Sequence, residues 1–313
     1  HELIEILQCN SRQPGSLYGD LNGQLNALDL GEKRLHALLE DYGPQTVKEA
    51  FTELKQRAEQ LMRANIKELP DGTLPCDDYL DNDGIVDESL RIGLDLKVSG
   101  DEMTLDFSRT SKACAGPVNI SRSTAIASCY VALKHLFQEV PANSGVLEPI
   151  RFVIPDGCLL DAKAPKPVGG YTETILRVID VVFQAMAKLA PERSNGCAYG
   201  TINALSLAGH RQDGRRWVMF SFFGGGHGAH PEGDGLNHGN APISTATIPP
   251  LEILEAAYPI RFTQWALRPD SGGPGKHRGG LGAVYEMELL EEEADVFLFG
   301  ERGRFAPKGV VGG

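Results

Sequence analysis

The nineteen residues from Phe222 to Asn240 read FFGGGHGAHPEGDGLNHGN and hold seven glycines, three histidines, Glu232 and Asp234. Helix and strand interiors both lose stability at glycine, which surrenders more conformational freedom on folding than any other residue. Such a stretch is expected to be a loop shaped around something, with His227, His230 and His238 presented from it. The run WVMFSF before it reads as a buried strand, so the loop would hang from a rigid edge. A plain glycine-rich connection with solvated histidines satisfies the same composition. A nucleotide loop does not: Gly224, Gly226 and Ala229 fit G-x-G-x-x-A, but Pro231, Glu232, Gly233 and Asp234 stand where a helix N-terminus must face the pyrophosphate.

A chain of 313 residues can bury a full core and divide into about two domains. Its 42 acidic against 30 basic residues give a formal charge of −12, which repels nucleic-acid phosphates and acidic membrane surfaces. No apolar run reaches the length of a membrane span, and HELIEILQCN lacks the layout of a signal peptide. The six cysteines are scattered without any C-x-x-C, a pattern expected of reduced thiols in a cytoplasm.

Along the chain, leucines at 21, 25, 28, 35, 38 and 39 predict one helix, and Val47 to Ile66 a second after Gly43-Pro44. The two are expected to pair as a hairpin whose apolar stripe docks on something. Asp77 to Glu88, DDYLDNDGIVDE, reads as a solvated acidic turn; an EF-hand fails because Tyr79 and Leu90 occupy its first and twelfth positions. A weak cation site there is the other reading. Alternation then predicts a hairpin of strands around Ser99-Gly100-Asp101. Helices are expected from about Ser123 to Glu139, from near Thr172, and over 249–257. Further strands fall at RFVIP, RRWVMFSFF, YPIRFTQWALR, AVYEMELL and ADVFLFG. The fold class is thus α+β, with a helical hairpin and acidic turn over 1–89. The domain over 90–313 is a mixed, mostly antiparallel sheet region with two long helices, and it carries the glycine-rich loops.

A second glycine-rich stretch, PDSGGPGKHRGGLG, imitates a phosphate loop, but Asp270 and His277 replace the required glycine and hydroxyl residue, so ATP has no recognisable site here. Glu173 and Arg177 lie four apart at the start of the helix after Gly169-Gly170. That spacing suits a helix-surface ion pair, and its place at a helix N-terminus also suits ligand contact.

Several blocks in order resemble the hydantoinase B/oxoprolinase family: DYLDNDG, DFSRTS with GPVN, PANSG, ETILRVID, GTIN, GGGHGAHPEGDG, LEILEAAYP, RPDSGGPGKHRGGLG and RGRFAPKG. The resemblance runs through nearly the whole chain, and RPDSGG-x-G-x-x-RGG-x-G is its most specific block. Many relatives carry an aromatic residue where this sequence has His227. The family is related to acetone and acetophenone carboxylase subunits.

The resemblance implies the B subunit of an ATP-dependent hydantoinase or 5-oxoprolinase. A kinase-like A subunit binds ATP and phosphorylates the carbonyl oxygen of a lactam or hydantoin; the B subunit completes attack on the activated carbon. It also implies a longer protein, whose N-terminal histidine and aspartate motifs hold a divalent metal. Within these residues, His227 and His230 are candidates for proton transfer, with Asp234 orienting one of them, and His227, His230 and His238 are the weak candidates for metal ligands. Asn119, Glu173, Arg177 and Asn203 are candidates for holding a polar substrate. A ketone carboxylase subunit and a non-catalytic assembly fragment are the other expectations.

Overall fold

The computed structural model describes residues 2–244 and 248–313. The chain forms two compact units, His1–Arg57 and Ala58–Gly313, dividing inside a helix rather than at 89/90 where the sequence pattern changes.

The first unit holds α1 (Glu2–Cys9), α2 (Pro14–Tyr42) and the start of α3 (Pro44–Lys67). Pro14 opens α2 because its ring presets the helical φ and its missing N–H costs the first turn nothing. Gly43, at φ +78°, makes the joint to α3 in a conformation that a side chain would strain. The apolar stripe of α2 stays open: the helix buries none of its residues, and Leu25 and Leu28 are 56% and 71% exposed.

In the second unit a four-stranded sheet runs in the order β1 (Gly72–Leu80), β2 (Leu90–Ser99), β3 (Glu102–Asp106) and β4 (Ile150–Val153). The first two pairings are antiparallel and the last is parallel. Ala58, Met62 and Ile66 of α3 join one continuous core with this sheet and with α4 (Arg122–Leu136) and α5 (Tyr171–Leu189). Ser121 caps α4 by accepting a hydrogen bond from the Thr124 N–H. Twelve residues of α5 are buried, eight of them apolar and four, Glu173, Thr174, Arg177 and Asp180, polar or charged, so it is a central element rather than a surface one. All six cysteines are free, and burial pushes the thiols of Cys129 and Cys197 up, away from nucleophilic thiolate.

The solvated turn expected over Asp77–Glu88 is corrected at its first half, which is strand β1. Alternation there turns Cys76, Asp78 and Leu80 inward and Asp77 outward. Asp78 is tolerated inside because Gln184 Nε2 donates to it at 3.0 Å and Arg302, 224 residues later, pairs with it at 3.1 Å. Asp83 is a clasp rather than a cation ligand. Its oxygens accept from the N–H groups of Ile85, Val86, Ala115 and Gly116, and although burial opposes ionisation, those donors hold the carboxyl below its usual range.

Beyond α5 come β5 (Ala204–His210), β6 (Arg216–Phe222), α6 (Leu251–Ala257), β7 (Ile260–Leu267), β8 (Ala283–Leu289) and β9 (Asp295–Phe299). They form an antiparallel sheet ordered β6-β5-β9 and the ribbon β7-β8. Leu205, Leu207, Trp217 and Met219 pack with Leu254 and Ile260 into a second core. The architecture is α+β, and its two sheets leave the glycine-rich connections after β6 and β7 free to meet.

Candidate functional site

The chain leaves β6 at Phe222 and loops through 223–244; the second loop, 268–282, links β7 to β8. The two are cross-locked. The N–H of Gly280 donates to His227 O at 2.8 Å, that of Gly235 to Arg278 O at 2.7 Å, and that of His238 to Leu281 O at 2.8 Å. Side chains complete the seam: Asp234 Oδ1 accepts from the Arg278 N–H at 2.7 Å and Asn237 Oδ1 from the Leu281 N–H at 2.8 Å. Glycine is needed for this approach. A Cβ on Gly226 would sit 1.8 Å from Gly280 O, and one on Gly228 would sit 1.9 Å from Gly196 O.

Between the loops lies a cavity of about 840 Å³. Tyr199, Asn203, His227, His230 and Tyr285 line it, with Arg268, Lys276 and His277 from the second loop and Lys308 from the segment after β9. Among the described residues, no Asp or Glu side chain lines it. The opposite face of the first loop borders a second cavity whose wall includes Glu139, Glu192, Glu232 and Asp234. His227 and His230 line both.

The three imidazoles have different commitments. His227 Nε2 faces the Asn240 carbonyl oxygen, which can only accept, so Nε2 carries the proton and Nδ1 keeps the lone pair. His238 Nε2 lies 3.1 Å from Trp265 Nε1 and 2.6 Å from the Tyr285 hydroxyl. The indole N–H can only donate, so Nε2 is the unprotonated nitrogen and the His238 proton sits on Nδ1, which is buried without a partner. His230 caps a tight turn through its backbone pairing with Gly233. The three imidazoles cannot all share one divalent cation, because His238 has spent its lone pair on two donors; His227 keeps a lone pair on Nδ1. Among the described residues, no group of three or more His, Cys, Asp and Glu could hold a metal ion.

Burial, and then the neighbouring Tyr199 hydroxyl, push the Tyr285 phenol up. Burial, and then the Glu173 carboxyl, do the same to Tyr199, whose hydroxyl is buried without a partner. Both therefore stay protonated and serve as neutral hydrogen-bonding groups at the cavity wall.

Of the other sequence candidates, Asn203 lines the cavity and Asp234 does not orient His227 or His230; its oxygen instead lies 3.9 Å from His277 Nδ1 and ties the loops together. Asn119 is fully buried and lines neither cavity. It donates to Gly116 O at 2.9 Å and Pro167 O at 3.0 Å and accepts from the Cys114 N–H at 2.8 Å, a staple between loops. Glu173 and Arg177 are likewise fully buried away from both cavities. Glu173 Oε1 accepts from the Ile202 N–H at 3.1 Å, and Arg177 lies 3.7 Å from both Asp180 and Glu301.

Around that arginine, Asp78, Glu173, Asp180 and Glu301 share two buried guanidinium groups, those of Arg177 and Arg302. Burial, with Asp78 beside it, pushes Asp180 up to about 8; burial, with Asp81 and Glu173 nearby, pushes Glu301 up to about 7. Lone residues gave no sequence signal for Tyr199, Tyr285, Arg268 or Lys276 at the site, although the last two stand inside the second glycine-rich block.

The comparisons with known proteins agree with this architecture. The chain is 30% identical to the caprolactamase subunit beta of Pseudomonas jessenii over 99% of its own length and 55% of that protein's. It is 29% identical to 5-oxoprolinase 1 of Arabidopsis thaliana over 94% of its own length and 23% of that protein's. The crystal structure of the ATP-dependent caprolactamase from Pseudomonas jessenii superposes with a TM-score of 0.85 at 27% identity, over 92% of this chain and 51% of that one. The chain thus spans about half the length of the caprolactamase subunit. With the family match running over residues 1–313, the chain belongs to the hydantoinase B/oxoprolinase family.

Proposed function

We propose that this chain is part of the B subunit of an ATP-dependent hydrolase that opens cyclic amides such as lactams or hydantoins. A kinase-like A-type partner binds ATP and phosphorylates the amide carbonyl oxygen; the cavity between the glycine loops shelters the activated ring. Resonance makes an amide carbon a poor electrophile, and phosphorylating its oxygen removes that resonance and provides a leaving group. The remaining work is to position the ring, move protons and stabilise developing charge.

The observation that carries this reading is the preformed cavity itself: two mutually locked loops enclose imidazoles, phenols and an amide. His227 Nδ1 and His230 are placed to accept and return protons, and Asn203 and Tyr285 to hold the polar edge of the ring. A cytoplasmic hetero-oligomer belongs to the same reading, supported by the free cysteines and by the relative that is itself a beta subunit.

The test uses the complete protein with its kinase-like partner and offers caprolactam, 5-oxoproline and hydantoin with ATP. Ring opening that needs both subunits and ATP is expected. Fixation of labelled bicarbonate into acetone or acetophenone, without ring opening, would replace the hydrolase with a carboxylase. His227→Ala and His230→Ala are expected to lower turnover by about 10²-fold or more with the fold intact.

A further inference from the structure

We infer that Arg268 and Lys276 form an oxyanion-binding subsite in the cavity between the glycine loops. The inference rests on the reading that this cavity is the substrate's, and it adds the charge of what enters it. In a chain of formal charge −12, the described residues lining this cavity include Arg268, Lys276, Lys308 and three histidines and no carboxylate side chain. Four acids, Glu139, Glu192, Glu232 and Asp234, line the second cavity, together with Arg193, which is paired with Glu68, and His135; His227 and His230 line both cavities. An anion is therefore favoured on one face of the loop and repelled on the other.

The basic groups are not equivalent. Lys308 Nζ is already engaged, donating to Asp77 O at 3.1 Å and Gln184 Oε1 at 3.0 Å. His277 stands 3.9 Å from Asp234. Among the described residues, the exposed side chains of Arg268 and Lys276 make no hydrogen bond or ion pair; exposed Lys97 and Arg216 are unpaired too, and what sets Arg268 and Lys276 apart is that they line the cavity. The backbone that presents Arg268 is fixed by its loop. The Arg268 N–H donates to Gly282 O at 2.8 Å, and Ser271 Oγ donates to Arg268 O at 2.7 Å while accepting from the Gly282 N–H at 2.9 Å. A planar guanidinium and an ammonium presented from a closed loop suit an oxyanion. That oxyanion is either the phosphoryl group placed on the ring by the partner or a carboxylate carried by the cyclic amide.

Binding of inorganic phosphate to the chain, followed by calorimetry and by the fluorescence of Trp265, which packs on Tyr285 at 4.4 Å between ring centroids, tests the subsite. Saturable binding is expected. It should weaken at least about tenfold in Arg268→Ala/Lys276→Ala and stay unchanged in the charge-matched control Lys97→Ala/Arg216→Ala. Competition by acetate would identify a carboxylate as the occupant, and no competition would identify the phosphoryl group. Phosphate affinity equal in wild type and double variant, or no saturable binding, overturns the inference. The ring-opening assay separates the two levels. Ring opening with phosphate binding independent of Arg268 and Lys276 removes only the subsite. Phosphate held by these residues in an enzyme that opens no ring removes only the hydrolase.

Discussion

Two groups of charged residues in the larger unit contrast sharply. Around α5, Asp78, Glu173, Arg177, Asp180, Glu301 and Arg302 are buried and face one another. Around the glycine loops, Arg268, Lys276 and His230 meet a cavity and leave their hydrogen-bonding capacity unspent. A motif does not reveal which group is which. Glu173 and Arg177 share a helix start, a family block and a flexible glycine turn, yet both are fully buried and line neither cavity, and Glu173 Oε2 and the three Arg177 nitrogens have no hydrogen-bond partner among the described residues. The difference lies in access: a charge with no exposed surface can hold elements together but cannot receive a ligand.

That contrast can be broken at its strongest point by removing Arg302. Arg302→Ala leaves Asp78 buried without its guanidinium and removes a donor to Asp180, so urea denaturation should show a loss of about 3–5 kcal/mol. A loss under about 1 kcal/mol would mean the interior charges are not a structural unit. Next in size is Gly226→Ala, whose added methyl meets Gly280 O. Parting the loops should cost about 1–3 kcal/mol and most of the turnover. Wild-type stability and rate in this variant would show that the loops are not locked.

A pH series sharpens the comparison further. Asp180 and Glu301 keep their protons up to about 8 and about 7 in the folded chain, while unfolded carboxyls release theirs near pH 4. The folded state therefore binds more protons across that interval, and this contribution to stability, complete below about pH 4, is lost as pH rises toward 8. The slope is about 1.4 kcal/mol per pH unit for each such group, so about 2.7 below about pH 7 where both differ and about 1.4 between about pH 7 and 8. Asp180→Asn should flatten it, and an unchanged slope would place the titration elsewhere. Smallest is the stability effect of Arg268→Ala or Lys276→Ala, expected to stay within about 0.5 kcal/mol in thermal melts because both side chains are exposed and unpaired.

Much of the fold was legible in periodicity. The β2–β3 hairpin, α5 and the strands β6 to β9 fall where alternation or helical spacing places them. β5 did not announce itself because Ala204, Ser206, Ala208 and Gly209 dilute Leu205 and Leu207 with small residues of little strand preference; pairing with β6 and β9 makes it a strand. β1 was hidden by its aspartates, since the arginine that allows Asp78 inside is 224 residues away. At the site, glycine density marked the first loop correctly. The chemistry of the second was masked by its likeness to a phosphate loop, and testing that likeness left Arg268 and Lys276 unweighed. Tyr199 and Tyr285 gave no local signal at all, because single aromatics look the same in a core and at a cavity.

The segment after β9 has a consequence for synthesis. Arg302 joins Asp78 to Asp180, Lys308 O accepts from the Cys197 N–H at 2.9 Å, and residues 307–310 wall the cavity. A growing chain on the ribosome therefore cannot bury Asp78 with its guanidinium partner or complete the wall of the cavity until residues 302–310 emerge, more than two hundred residues after Asp78. Chaperone demand should peak in that interval, and nascent chains stalled before residue 302 should be the ones that proteases cut.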